Sequence, residues 1–147
     1  MKTTQADGIA SLFALRLPVR FTHTDPAGYV FFPRYFEMLQ AVVEEWFTHA
    51  LQQRYADLIN KRRLGTPTAT TQCTFLKPSR LGDEIALAVK LEHIGNSSFR
   101  LRFIGTVDDN IRLDALSTLV MISLDDGAPR PIPPDLRARM EAYQAGK

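Results

Sequence analysis

The stretch that decides the fold is His23–Gln40, HTDPAGYVFFPRYFEMLQ. It sets one acidic residue, Asp25, in a Pro/Gly turn directly ahead of an apolar helical pattern. Pro26 pushes Asp25 toward an extended conformation, and Gly28 supplies the backbone freedom of the turn. Pro33 falls where helices accept a proline, in the first turn. From Arg34 the apolar residues Tyr35, Phe36, Met38, Leu39, Val42, Val43, Trp46 and Phe47 recur at helical spacing and cover more than half of the circumference. A helix this apolar is buried on most sides. Glu37, Gln40 and Glu44 form its polar stripe, and its end is expected near Ala50. A turn and helix so joined aim a carboxylate and the positive end of a helix dipole at one small volume. A carbonyl held there would meet a nucleophile or base on one side and an oxyanion donor on the other.

Upstream, Leu15–His23 alternates: Leu15, Leu17, Val19 and Phe21 on one face, Arg16, Pro18, Arg20 and Thr22 on the other. This predicts a strand with one wet face, and Pro18 suggests an edge. Downstream, a more polar helical stretch is expected over Gln52–Lys61, closed by Gly65. The remainder reads mostly as strand: Thr66–Leu76, Ile85–His93, Phe99–Ile104 after a turn at Gly95-Asn96, and Leu113–Leu124 after a hairpin signal at Asp108-Asp109-Asn110. Prolines 131, 133 and 134 interrupt before a short terminal helix within 133–144. The order is strand, long buried helix, then antiparallel strands, an α+β pattern in which the sheet wraps the helix. Five strands cover only part of that helix, so self-association is the economical way to cover the rest.

The chain has 147 residues, a size expected to form one domain over 1–147, with residues 1–12 frayed. It is 45% hydrophobic and 23% charged with a formal net charge of +2, which gives no reason to expect nucleic acid. The one basic run, Lys61-Arg62-Arg63, reads as a solvated face. The single cysteine, Cys73, permits no internal disulfide and reads as a buried strand thiol in a reducing compartment. His23, His49 and His93 lie far apart with no metal-ligand spacing. No signal-peptide pattern and no apolar run of membrane-spanning length is present, so the expected location is the cytoplasm.

Three segments in order carry a family resemblance: Thr24–Tyr35 (TDPAGYVFFPRY), Phe75–Asp83 (FLKPSRLGD) and His93–Phe99 (HIGNSSF). Over about Leu17–Leu124 the chain resembles hotdog-fold acyl-CoA thioesterases of the 4-hydroxybenzoyl-CoA thioesterase family. The resemblance implies an antiparallel sheet wrapped around a long central α-helix. It implies homodimers joined sheet edge to sheet edge, often paired into homotetramers, with active sites at the subunit interface. The reaction implied is hydrolysis of an acyl-CoA, aromatic or short-chain, to a carboxylic acid and free CoA. No metal or other cofactor takes part, coenzyme A being part of the substrate. Acyl carrier protein, which shares the pantetheine arm, is a second donor to consider.

In that light Asp25 matches the family's catalytic carboxylate, as nucleophile or as general base on water. Isolated, an Asp-Pro-x-Gly would read as a plain turn. The backbone amide of Phe32 aligns with the oxyanion donor, since Pro33 has no N–H to offer. Gly28 shapes the catalytic turn. The substrate-contact candidates are Tyr29, Phe31, Gln40, Thr66, Pro67, Ser97 and Ser98. Tyr29, Phe31, Phe32 and Trp46 are candidates for an aromatic acyl pocket, against a plain core reading. Gln40 is either a hydrogen-bonding group for the acyl moiety or an interface polar residue. Some relatives carry histidine where Phe32 stands, so Asp25 would act without it; His23 reads mainly as a surface residue of the first strand. Basic residues that precede the Ser-Phe pair in some relatives are Gly95-Asn96-Ser97 here, leaving Lys77, Arg80 and Arg100 as other charges for the CoA phosphates. The rival readings are a hotdog-type acyl thioester dehydratase, a non-catalytic acyl-CoA-binding module, and a structural partner in an assembly.

Overall fold

Alternating side chains build the first strand, β1 (Phe13–Pro18), in a computed structural model that describes residues 11–146. The segment expected to fray lies almost wholly outside the described residues. Phe13, Leu15 and Leu17 pack on the core, and the residues between them face water. The strand stops at Pro18 and does not continue to His23. There the chain winds into a 3-10 turn over Phe21–His23, pinned by the Arg20 N–H donating to His23 Nδ1 at 2.8 Å. Phe21, expected inside, is therefore 79% exposed, and His23 closes a turn instead of lying on a strand face.

The central helix, α1 (Pro33–Glu45), follows the sequence pattern. Tyr35, Met38, Leu39, Val42 and Val43 are buried, at the i, i+3, i+4, i+7 and i+8 positions of one stripe. Its last turn widens into a π turn over Trp46–Ala50, closed by the Leu51 N–H donating to the Trp46 carbonyl at 3.0 Å. The consecutive residues Trp46 and Phe47 both reach full burial there. Gln52, at φ +54°, breaks the helix. The following helix, α2, is accordingly shorter than the predicted Gln52–Lys61, covering Tyr55–Asn60.

Six further strands follow: β2 (Leu64–Gly65), β3 (Thr68–Phe75), β4 (Glu84–Ile94), β5 (Ser98–Val107), β6 (Asn110–Val120) and β7 (Ile122–Ser123). The helix α3 (Pro134–Gln144) ends the order. The main sheet is antiparallel, five-stranded, in the order β1-β4-β5-β6-β3, and β2 pairs separately with β7. The predicted strand Leu113–Leu124 thus splits at Met121. That residue is fully buried and its N–H leaves the sheet for the Ser97 carbonyl at 2.8 Å. Asp108 and Asp109, with φ of +50° and +64°, make the β5–β6 hairpin turn that the sequence signals.

The inner sheet face carries Ile85, Leu87, Val89, Leu91, Leu101, Phe103, Leu113 and Leu119, and α1 lies across it. This is the α+β architecture expected: a sheet curled over one apolar helix. The helix α3 caps the β1 side, its Tyr143 hydroxyl donating to the Val89 carbonyl at 2.5 Å and accepting the Phe13 N–H at 2.9 Å. Opposite, β3 pairs only with β6 among the described strands, and its residues are mostly exposed. Such an unpaired edge is a template for another strand.

Candidate active site

The turn after His23 is organised around Asp25. The Asp25 N–H donates to the Tyr29 carbonyl at 2.8 Å, and the Gly28 N–H donates to the Asp25 carbonyl at 2.9 Å. Carboxylate oxygen Oδ1 accepts the N–H groups of Ala27 at 2.9 Å and Tyr29 at 3.3 Å. The other oxygen, Oδ2, has no donor among the described residues. Gly28 sits at φ +84° with open space where a Cβ would stand. The backbone conformation, not crowding, is what calls for glycine there.

A short antiparallel ladder then ties the turn to the helix start. Thr24 bridges Val30, and the Phe31 N–H donates to the His23 carbonyl at 2.9 Å. Phe32, one residue beyond, is the N-cap of α1 with helical φ and ψ. The Arg34 N–H turns back to the Phe31 carbonyl at 2.8 Å and the Tyr35 N–H to the Phe32 carbonyl at 3.1 Å. Between them the Phe32 N–H has no acceptor among the described residues, in the place where the helix dipole is positive.

The 78–83 turn holds this ladder from outside. The Val30 N–H donates to the Ser79 carbonyl at 2.9 Å, the Leu81 N–H to the Gly28 carbonyl at 3.1 Å, and Tyr29 bridges Arg80. The two strongest sequence segments, Thr24–Tyr35 and Phe75–Asp83, are therefore bonded to each other.

Aromatic rings gather at the helix start. Phe32 lies 5.8 Å from Phe31 and 6.2 Å from Phe75, and Phe36 lies 6.5 Å from Phe75. Phe31, Phe32 and Phe75 remain 49%, 57% and 44% exposed. Contiguous exposed aromatics of this kind mark a ligand groove or an interface. One helical turn further along, a cavity of about 150 Å³ lies between α1 and β3, lined by Phe36, Gln40, Val43, Thr71, Phe103 and Ser117. Gln40 is exposed at its rim and donates to Glu44 at 3.2 Å.

Not every candidate gathers here. Trp46 stands at the far end of the helix, fully buried against Phe47, Phe99 and Tyr143, so it is a core residue and lines no acyl pocket. Thr66, Pro67, Ser97 and Ser98 cluster at the other end of the sheet, where the Val120 and Met121 N–H groups donate to the carbonyls of Pro67 and Ser97. β4 separates that end from the Asp25 turn by roughly 35 Å at the usual strand rise. Within one chain these residues do not meet Asp25. Phe75 and Ser79 were not anticipated as site residues. The inward position of Phe75 on β3 was readable, but its contact with the helix start was not.

Cys73, also on the inner face of β3, has its thiol pKa pushed up to about 11, first by burial and then by the charge of Asp114. Alkylation by iodoacetamide is therefore expected to be slow at pH 7.5 and to keep rising with pH without levelling off until about 11. A rate like that of a free thiol at neutral pH would contradict this. Among the described residues no group of three or more His, Cys, Asp or Glu could hold a metal ion, and no helix is long and apolar enough to cross a membrane.

A sheet curled over one helix, with an acidic turn hinged to that helix's start, is the hotdog class of architecture. The chain belongs to the Thioesterase-like superfamily, whose family model matches residues 19–140. No curated protein matches it. Among solved structures it is similar to a gentisyl-coenzyme A thioesterase, at 23% identity and TM-score 0.81 over 87% of this chain and 99% of that one. It is also similar to a Thermus thermophilus thioesterase complexed with coenzyme A and zinc, at 25% identity and TM-score 0.76 over 90% and 93%. A 1,4-dihydroxy-2-naphthoyl-CoA thioesterase from Synechocystis matches at 18% identity and TM-score 0.76 over 90% and 95%.

Proposed function

We propose that this protein is an acyl-CoA thioesterase of the 4-hydroxybenzoyl-CoA type, in which Asp25 attacks the thioester carbonyl or deprotonates the attacking water. The carrying observation is the pairing, through one short ladder, of an Asp25 carboxylate oxygen without a donor and a Phe32 N–H without an acceptor. The first supplies the lone pair, and the second faces the oxyanion that forms as the carbonyl becomes tetrahedral. Collapse of that intermediate expels the CoA thiolate. Where water attacked, the free acid is the product; where Asp25 attacked, an acyl–Asp25 anhydride remains that water opens to the acid and the free carboxylate. The cavity beside Phe36 and Gln40, about the size that holds a single benzene ring, favours a compact acyl group over a long chain. Proteins similar to this one act on gentisyl- and dihydroxynaphthoyl-CoA, which supports an aromatic acyl group. The reaction runs in the cytoplasm on acyl-CoA, with acyl carrier protein as a second donor, and needs no other cofactor.

The working unit is a homodimer or homotetramer. Two copies joined antiparallel along the free edge of β3 would set the Thr66–Pro67 end of one beside the Phe75 end of the other. That pairing unites the two groups of substrate-contact candidates. Mixing Asp25→Asn chains with Pro67→Asp chains, each inactive alone, is expected to restore activity through shared sites. No recovery on mixing, with both variants dimeric, would place the whole site in one chain.

The test of the activity is thiol release from benzoyl-, hydroxybenzoyl-, phenylacetyl-, short-chain and long-chain acyl-CoAs. Release is expected, fastest with the compact acyl groups. Binding of acyl-CoA without release from any of them would make the protein a binding module.

A further inference from the structure

We infer that Arg112, a residue outside the site, is the positioning residue that fixes the Asp25 turn for hydrolysis. The inference rests on the thioesterase reading for its kinetic consequence but not for its geometry. Arg112 stands near the start of β6. Its neighbour Leu113 points into the core while Arg112 points to the outer face, where its side chain is only 14% exposed. The backbone from Leu76 to Asp83 folds over that face and covers it. The Leu76 N–H donates to the Arg112 carbonyl at 2.8 Å, and the Arg112 guanidinium donates back to the Pro78 carbonyl at 2.6 Å. The same nitrogen lies 3.7 Å from an Asp83 carboxylate oxygen. That carboxylate in turn accepts the Arg80 N–H at 2.9 Å, and the Asp83 N–H closes on the Arg80 carbonyl at 3.0 Å.

One guanidinium therefore clamps both ends of the 78–83 turn. What the turn holds is the catalytic ladder. Ser79, Arg80 and Leu81 bond or bridge Val30, Tyr29 and Gly28, and the Tyr29 N–H is one of the two donors to Asp25 Oδ1. The path from Arg112 to Asp25 is an unbroken run of hydrogen bonds and chain neighbours. A guanidinium suits this role because it stays charged while one terminal nitrogen, with two N–H groups, lies between the Pro78 carbonyl and the Asp83 carboxylate. Arg112 Nε is buried with no acceptor. A buried donor left unpaired carries a cost, and its retention is consistent with a side chain placed for the contacts of its terminal nitrogen.

A misplacement of about 1 Å at a reacting group, caused far from the chemistry, can lower a rate by about 100-fold. Arg112→Ala is accordingly expected to lower kcat ten- to 100-fold with KM changed less than about threefold, since no substrate contact is removed. Arg112→Lys should recover part of the loss, and millimolar guanidinium should rescue Arg112→Ala without rescuing Asp25→Asn. A rise in KM at unchanged kcat, or no rescue by either route, would overturn the assignment. A second readout needs no turnover. Amide hydrogen exchange at Ala27, Tyr29, Val30 and Leu81 should quicken in Arg112→Ala while Leu87 and Val89 in β4 stay protected. Unchanged exchange at those four amides would overturn it even if the protein hydrolysed nothing. Quickened exchange with no thiol release from wild type would overturn the thioesterase reading alone.

Discussion

Asp25→Asn is expected to lower thiol release by about 100- to 10,000-fold, the range that a positioned base or nucleophile contributes. Asparagine keeps an oxygen that can accept the Ala27 and Tyr29 N–H groups, so the turn is expected to survive. What it loses is the negative charge and the lone pair that Asp25 Oδ2 would present to the carbonyl or to water. Fold and oligomer should therefore match wild type by circular dichroism and mass while kcat collapses. Asp25→Ala removes the turn bonds as well and should add a loss of stability. Asparagine isolates the chemistry, alanine mixes it with the scaffold, and the two should be read together. Near wild-type turnover by Asp25→Asn would remove the catalytic assignment.

The largest expected loss of stability comes from Trp46→Ala. The indole is fully buried, with ring centroids 5.3 Å from Phe47, 6.2 Å from Phe99 and 5.5 Å from Tyr143. Deleting a buried aromatic costs about 3–5 kcal/mol, through lost transfer energy and the cavity left behind. In a chain of this size each kcal/mol moves Tm by about 2–4 °C, so the midpoint should fall by roughly 6–20 °C. The milder Trp46→Phe should leave the ranking of acyl-CoA substrates as it was, because Trp46 lies far down α1 from Phe32. A changed ranking in Trp46→Phe would return Trp46 to the acyl pocket. Denaturant midpoints and the substrate panel answer the two questions separately.

Both expectations depend on a distinction that sequence spacing does not make. Trp46 and Phe36 occupy the same apolar pattern, yet one is core and the other rims a cavity. Periodicity reports which face of a helix is apolar, not what stands opposite it. The same limit applies to Phe21. Its alternation with Arg20 and Thr22 is that of a strand, but the Arg20 N–H finds His23 Nδ1 and the chain turns. A local side-chain bond there outweighs the period-two pattern.

What the sequence by itself determined is local and periodic. The stripe on α1, the Pro/Gly turn holding Asp25, the Asp108-Asp109 hairpin and the inward row of β4 follow from side-chain volume and backbone restriction within a few residues. These were enough for the α+β class and the sheet over one helix, while the roles of Asp25 and the Phe32 amide rested on the family resemblance of Thr24–Tyr35. Only the tertiary structure decided which segments meet. It bonded the 78–83 turn to the Asp25 ladder, brought Phe75 to the helix start, sent Thr66, Pro67, Ser97 and Ser98 to the opposite end of the sheet, and laid Arg112 beneath the turn. Those contacts join residues tens of positions apart. They are set by strand order and register, which depend on how the whole apolar surface is buried at once and not on any one stretch of chain.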